Sequence, residues 1–322
     1  MRWRAQGLTF PGMHPGASTP SPSPVIETRG LTRRYGDVVG IEDLDLEVLP
    51  GEVFGFLGPN GSGKTTTIRL LLDLIRPTRG EARLFGVSAS EPAVRARVGY
   101  LPGELVLDGR MSGEATLRFL DGLLPSRSDP ARRAELCERL GLPENDLGRP
   151  VREYSRGMKQ KVGLVSAFQH RPRLLVLDEP TTGLDPLVRE VVFELMAEAR
   201  ADGATVFHSS HVLSEVDRTC DRVAILRRGR LAALMRVEEV RRTSARRMVV
   251  EFGGEAPLDE VRVPGVEVLE AEGGRLVLRV TGTPDALLAV LARHPVSYLA
   301  FPESNLEEAF AAFYQDAPGA SP

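Results

Sequence analysis

Gly58-Pro59-Asn60-Gly61-Ser62-Gly63-Lys64-Thr65-Thr66 decides how the rest of the chain is read. It fits G-x-x-x-x-G-K-[ST], the spacing of a phosphate-cradling loop. Val53-Phe54-Gly55-Phe56-Leu57 before it is a short apolar run, which predicts a buried strand. From Thr66 to Leu74 the apolar residues fall at helical spacing, and Arg76-Pro77 ends the run. The motif therefore sits between a strand and a helix. Glycines there let the backbone curl so that successive N–H groups converge on phosphate oxygens. The helix start adds partial positive charge, Lys64 a full charge, and the Thr65 hydroxyl a ligand for Mg²⁺. Lysine is scarce elsewhere: the other two are Lys159 and Lys161. Arginine's planar fork would not replace a compact ammonium inside such a loop. The stretch predicts a nucleoside triphosphate site.

Upstream, Val25 to Thr28 and Val38 to Val48 alternate as strands around a turn at Tyr35-Gly36-Asp37. Tyr35 is either a ring for stacking on a base or a half-buried aromatic at a strand edge. Residues 1–24 carry much Pro, Ser and Gly and little apolar surface, which predicts no fixed structure. Downstream, Ala82 to Phe85 predicts a strand. Pro92 to Arg97, Ser112 to Leu124 and Ser128 to Leu140 then have helical spacing, so a helical insertion is expected over about 88–170. Ser155 is a cap for a further helix reaching about His170, and Gly157 keeps its first turn open. That is a second helix start where phosphate could sit.

Leu174-Leu175-Val176-Leu177-Asp178-Glu179 is an apolar strand ending in two carboxylates. In P-loop enzymes an Asp at such a strand end holds Mg²⁺. Glu179, expected on the opposite face of the pleat, is placed to polarise a water. A turn-rich loop containing Asp185 follows, then a helix over Val188 to Ala201 and a strand over Ala204 to Phe207. At the end of that strand His208 and His211 flank two serines, and either could reach a γ-phosphate. Val223 to Leu226 and Arg230 to Ala233 predict a hairpin. After about Glu239 the pattern predicts a small α+β domain: strands over Arg247 to Phe252, Val261 to Val268 and Leu276 to Val280, and helices over Pro284 to Arg293 and Leu306 to Tyr314.

Composition narrows the class. A formal net charge of −3 gives no support for nucleic-acid binding, and none is expected. Two cysteines, Cys137 and Cys220, lie far apart with no partners at metal spacing. No apolar stretch approaches the roughly 18 residues that cross a bilayer. Arg2 and Arg4 are followed by no apolar run of a secretory signal. Any membrane role must act through a partner.

Gly58 to Thr66, Tyr154 to Met158, Leu174 to Glu179, Gly183-Leu184-Asp185 and His211 stand in the order and approximate spacing of an ABC-type ATPase. The chain resembles, over about residues 25–236, the ATP-binding subunit of an ABC-2-type exporter, the group that includes drug and antibiotic efflux systems. Ser155-Arg156-Gly157-Met158-Lys159-Gln160-Lys161 is the spelling that group favours. Leu306 to Phe310 is a looser match to its C-terminal extension. The fold implied is an α/β P-loop NTPase with a RecA-like core, an antiparallel β subdomain and a helical subdomain over 25–239. A small α+β domain would occupy 240–316, and 317–322 would be a flexible tail.

The resemblance also implies roles. Two subunits would enclose ATP and Mg²⁺, Tyr35 stacking on adenine and Gly58, Pro59, Asn60, Gly61, Ser62, Gly63, Lys64, Thr65 and Thr66 gripping phosphates. Asp178, with Thr65, would organise the metal. Glu179 would be the general base, and His211 would contact the γ-phosphate. Ser155 and Gly157 would complete the partner's site, and Asp185 would link the two sites. One motif departs: after Val98 to Pro102 many ABC ATPases carry a glutamine, whereas here Gly103 stands, followed by Glu104. The expected function is ATP hydrolysis that energises a separate polytopic permease from the cytoplasmic face of the membrane, by an ATP-dependent homodimer. The competing function is a soluble ABC ATPase acting on a non-transport macromolecule.

Overall fold

The computed structural model describes residues 23–301, apart from 125–127 and 244–245. The leader and the helix expected over Leu306 to Tyr314 lie outside the described residues.

The chain enters as an antiparallel pair, β1 (Ile26–Tyr35) and β2 (Val38–Val48). Alternation turns Leu44, Leu46 and Val48 inward, and a register shift past Asp43, at φ 54, brings Ile41 into the same core. The five residues of β3 (Val53–Leu57) are all buried, and α1 (Lys64–Leu71) follows the loop after it. β4 (Arg79–Leu84) pairs with β1, and β5 (Val87–Ser88) completes an antiparallel sheet in the order β2-β1-β4-β5. A short α2 (Pro92–Arg95) leads to β6 (Val98–Leu101). Next come α3 (Gly113–Gly122), α4 (Pro130–Arg139), α5 (Glu144–Leu147) and α6 (Arg156–Phe168). The core resumes with β7 (Leu174–Asp178), α7 (Pro186–Ala201), β8 (Thr205–Ser210), α8 (Leu213–Thr219), β9 (Arg222–Arg227) and β10 (Arg230–Arg236).

These strands form a sheet in the order β10-β9-β3-β8-β7-β6, parallel except for β10. Because β6 belongs to it, the helical insertion expected from about 88 is interrupted by a core strand. Val98-Gly99-Tyr100-Leu101 is too short an apolar run for periodicity to separate from its helical neighbours. Both sheet faces are covered, as a parallel sheet requires. Val53 and Leu57 pack on the side of α6 and α7, whereas Phe54 and Phe56 pack on the side of α1 and the antiparallel sheet. Phe207 fills that second face, stacked on Phe54 with ring centroids 5.8 Å apart. Arg139 on α4 pairs with Glu198 on α7 at 2.7 Å, tying the helical layer to the core.

After α9 (Val237–Thr243), a third sheet holds β11 (Arg246–Phe252), β12 (Val266–Glu272), β13 (Arg275–Val280) and, beyond α10 (Asp285–Leu291), β14 (Val296–Ala300). Its order is β12-β13-β11-β14, over a core including Met248, Val250, Leu278 and Leu287. The strand expected from Val261 begins only at Val266, and β14 was not anticipated.

Candidate functional site

The carboxyl ends of β3, β7 and β8 open onto one edge of the parallel sheet, where α/β proteins place ligands. In-register pairing sets Leu57 beside Ser210 and Asp178 beside Ser209, so the loops leaving the three strands converge.

Gly58 opens the first loop. A Cβ there would lie 2.5 Å from the Leu226 carbonyl oxygen, so no side chain fits. Gly63 precedes α1 with φ 108, a left-handed value that favours glycine. No side chain caps α1 and no acid lies in its first turn, which leaves its first amides aimed outward for an anion. The Gly229 N–H donates to the Ser62 carbonyl (2.9 Å) and the Glu42 N–H to the Gly229 carbonyl (2.7 Å). The hairpin turn thereby clamps the loop to β2. The Lys64 ammonium donates to the Gly58 carbonyl at 2.7 Å and lies 3.7 Å from Glu179 Oε1. Burial holds it below the usual lysine range, against the opposing pull of Glu179 and Asp178.

Asp178 is buried, and each of its oxygens has a donor. The Thr65 hydroxyl donates to Oδ2 at 2.7 Å and the Ser209 hydroxyl to Oδ1 at 2.5 Å. Thr65 and Asp178 are hard oxygen donors within one bond of each other, which fits Mg²⁺. Among the described residues no group of three His, Cys, Asp or Glu gathers to hold a metal unaided. A hard cation that keeps water and phosphate oxygens needs no such group.

β7 ends at Asp178, so Glu179 does not lie on the pleat as the sequence suggested. It adopts φ 51, a left-handed turn that costs a non-glycine residue about 1–3 kcal/mol. Its N–H donates to Ser209 Oγ at 2.9 Å, and Oε2 accepts from the Thr182 hydroxyl at 3.2 Å. Oε1 lies 3.3 Å from His211 Nδ1. The two histidines separate cleanly. His208 is buried against Cys220, Nε2 to Sγ 3.0 Å, and burial pushes its pKa down to about 4. His211 is the one beside Glu179.

Tyr35, Gly40, residues 60–66 and Glu179 line one cleft of about 430 Å³. Tyr35 is 44% exposed, and the Arg33 guanidinium stands 4.6 Å from its ring centre. Ser155 and Gly157 lie outside that cleft. Ser155 caps α6, accepting from the Met158 N–H at 3.2 Å, and a Cβ on Gly157 would come 2.9 Å from the Gly183 carbonyl oxygen. Asp185 caps α7, its carboxylate accepting the Val188 N–H at 3.1 Å. A Cβ at Gly103 would meet Asp178 Oδ2 at 2.9 Å, so this loop passes directly over the carboxylate. Glu104 is exposed.

Sequence reasoning missed three residues at this edge. Besides the bonds of Ser209, Gln160 Nε2 donates to the Pro180 carbonyl at 3.1 Å, joining α6 to the loop after Glu179. Buried Glu215 accepts from the Thr181 and Ser210 hydroxyls at 2.7 and 2.8 Å. Alignment of β7 with β8 was the available signal for Ser209; nothing local marked the other two.

A family model described as ABC transporter matches residues 41–182. The Nod factor export ATP-binding protein I of Cupriavidus metallidurans is 35% identical over 292 residues, which are 89% of this chain and 96% of that protein. The daunorubicin resistance ATP-binding protein DrrA3 of Streptomyces coeruleorubidus is 39% identical over 67% of this chain and 69% of its own length. Among solved structures, a dimeric ATP-binding cassette in a post-hydrolysis state with ADP and Pi matches 66% of this chain and 98% of its own, at TM-score 0.60 and 20% identity. That likeness concerns the fold. With a relative 35% identical over 96% of its own length, the chain belongs to the ABC transporter ATP-binding protein family.

Proposed function

We propose that this subunit hydrolyses ATP at the edge of its parallel sheet to drive an exporter through a separate polytopic permease. The observation that carries the hydrolytic reading is the line of groups His211 Nδ1, Glu179 Oε1 and Lys64 Nζ, spaced 3.3 and 3.7 Å at the mouth of the phosphate loop. Residues 58–66 bind the phosphates, with Lys64 neutralising charge and the amides of α1 orienting the oxygens. Thr65 and Asp178 hold Mg²⁺, which supplies neutralisation of the charge that develops on the phosphoryl oxygens. Glu179 takes the proton of the attacking water, and His211 donates its one N–H to the γ-phosphate. Tyr35 stacks on the base.

Ser155 and Gly157 act on a nucleotide held by a second copy. Their position outside the cleft supports this, since each chain then carries half of two composite sites. Asp185, beside the Gly183 turn that packs on Gly157, links them. Export is supported by what the two relatives are named for, Nod factor export and daunorubicin resistance. No helix among the described residues is long and apolar enough to cross a membrane, so attachment at the cytoplasmic face runs through the permease. With ATP and Mg²⁺, Glu179→Gln should elute at twice the monomer mass in size-exclusion chromatography, and adding Ser155→Arg should return it to monomer. A dimer indifferent to Ser155→Arg contradicts the composite site.

A further inference from the structure

We propose that Ser209 is a positioning residue that sets both carboxylates of the hydrolytic site: it holds Asp178 in the orientation the metal needs and fixes the left-handed turn that aims Glu179. The inference rests on the assignment of Asp178 to Mg²⁺ and of Glu179 to the attacking water.

A serine hydroxyl has one proton to give and lone pairs to receive. Here both are engaged, by consecutive residues of the neighbouring strand end. The proton goes to Asp178 Oδ1 at 2.5 Å, and the oxygen accepts the Glu179 N–H at 2.9 Å. Parallel pairing of β7 with β8 places Asp178 opposite Ser209, so the contact is built into the sheet. Ser209 is fully buried, and water cannot stand in for it.

Among the described residues Asp178 has one other hydroxyl donor, the Thr65 hydroxyl on Oδ2. When Thr65 turns to the metal, the Ser209 bond remains to fix the plane of the carboxylate. On Glu179 the effect runs through the backbone. Glu179 lies just past the end of β7 at φ 51, and its amide finds its acceptor in the Ser209 side chain, at Oγ. Ser210 next to it faces the other way, donating to Glu215 Oε2 at 2.8 Å and accepting the Val212 N–H at 3.0 Å. The strand end before His211 is thus pinned on both sides, and only Ser209 reaches the reacting groups. Outer-sphere partners of this kind typically change metal affinity about 10–100-fold when removed.

The test uses the full chain carrying Glu179→Gln, so that ATP is not consumed, and reads the rise in melting temperature that ATP produces as Mg²⁺ is titrated. Adding Ser209→Ala should leave the ATP-induced rise in EDTA unchanged and move the Mg²⁺ midpoint about 10–100-fold higher. Ser209→Thr, which keeps the hydroxyl, should keep the midpoint of the parent. A Ser209→Ala midpoint equal to the parent's overturns the proposal, whatever the change in basal melting temperature, because a merely structural hydroxyl predicts that result. Absence of any Mg²⁺ dependence in the Glu179→Gln parent instead overturns the metal assignment beneath it, so the two failures are distinct.

Discussion

Glu179 combines the carboxylate proposed as general base with a left-handed backbone, and substitution can separate the two. An L-residue there costs about 1–3 kcal/mol, which glycine does not incur. Glycine gives back about 0.5–1 kcal/mol through the larger entropy of its unfolded chain. Removing the carboxylate loses its contact with the buried Lys64 ammonium at 3.7 Å and its contacts with Thr182 and His211, a cost that glycine and valine share. Valine loses the same contacts and, being β-branched, resists positive φ most. Glu179→Val should melt below Glu179→Gly by about 2 kcal/mol, or about 4–8 °C. Both should lose about 10²–10⁴ in hydrolysis, the usual worth of a general base. Calorimetric melting and a phosphate-release assay on the two variants suffice. Equal melting temperatures for the two would refute the backbone argument. Near-normal turnover in either would refute the role of the carboxylate.

Other outcomes follow from the same geometry. Lys64→Ala removes a charge-assisted donor worth about 1.5–3 kcal/mol per phosphate bond, so ATP affinity measured by titration calorimetry should fall at least about tenfold; unchanged affinity contradicts the phosphate loop. Tyr35→Ala should weaken ATP binding by about 1–3 kcal/mol while Tyr35→Phe does not, and equal affinities for the two would remove the stacking role. His208 is held near 4 by burial, against an ordinary 6.5, so the unfolded chain takes up the proton first. Its contribution is complete above about pH 6.5 and is lost as pH falls toward 4, by up to about 3 kcal/mol. His208→Gln should flatten the acid side of the stability profile, and identical slopes would contradict the burial argument.

The phosphate loop and the Asp178-Glu179 pair were legible because their chemistry is written in contiguous residues with fixed spacing. Contacts that cross the sheet were not. The bonds of Ser209 depend on the β7–β8 register, and that of Gln160 on how α6 lies against the loop after β7. The left-handed turn at Glu179 was hidden because strand alternation was carried one residue too far. β6 was taken into the helical insertion because four apolar residues carry too little periodicity to identify a strand. The cap of α4 shows local ambiguity: Asp129 accepts the Ala131 N–H, while Ser128 turns its N–H back to Asp121 at 2.9 Å. At Gly103 the sequence showed a departure, and the structure supplies a reason, since a side chain there would press on Asp178.

If ATP hydrolysis here serves a membrane permease, the chain must travel with one. The most direct measurement expresses the tagged chain with its genomic neighbours and asks what it carries through membrane pelleting and mild detergent extraction. It should pellet with membranes and co-purify with a polytopic protein that stimulates its ATPase rate. A soluble chain that hydrolyses ATP with no membrane partner would contradict the link to a permease.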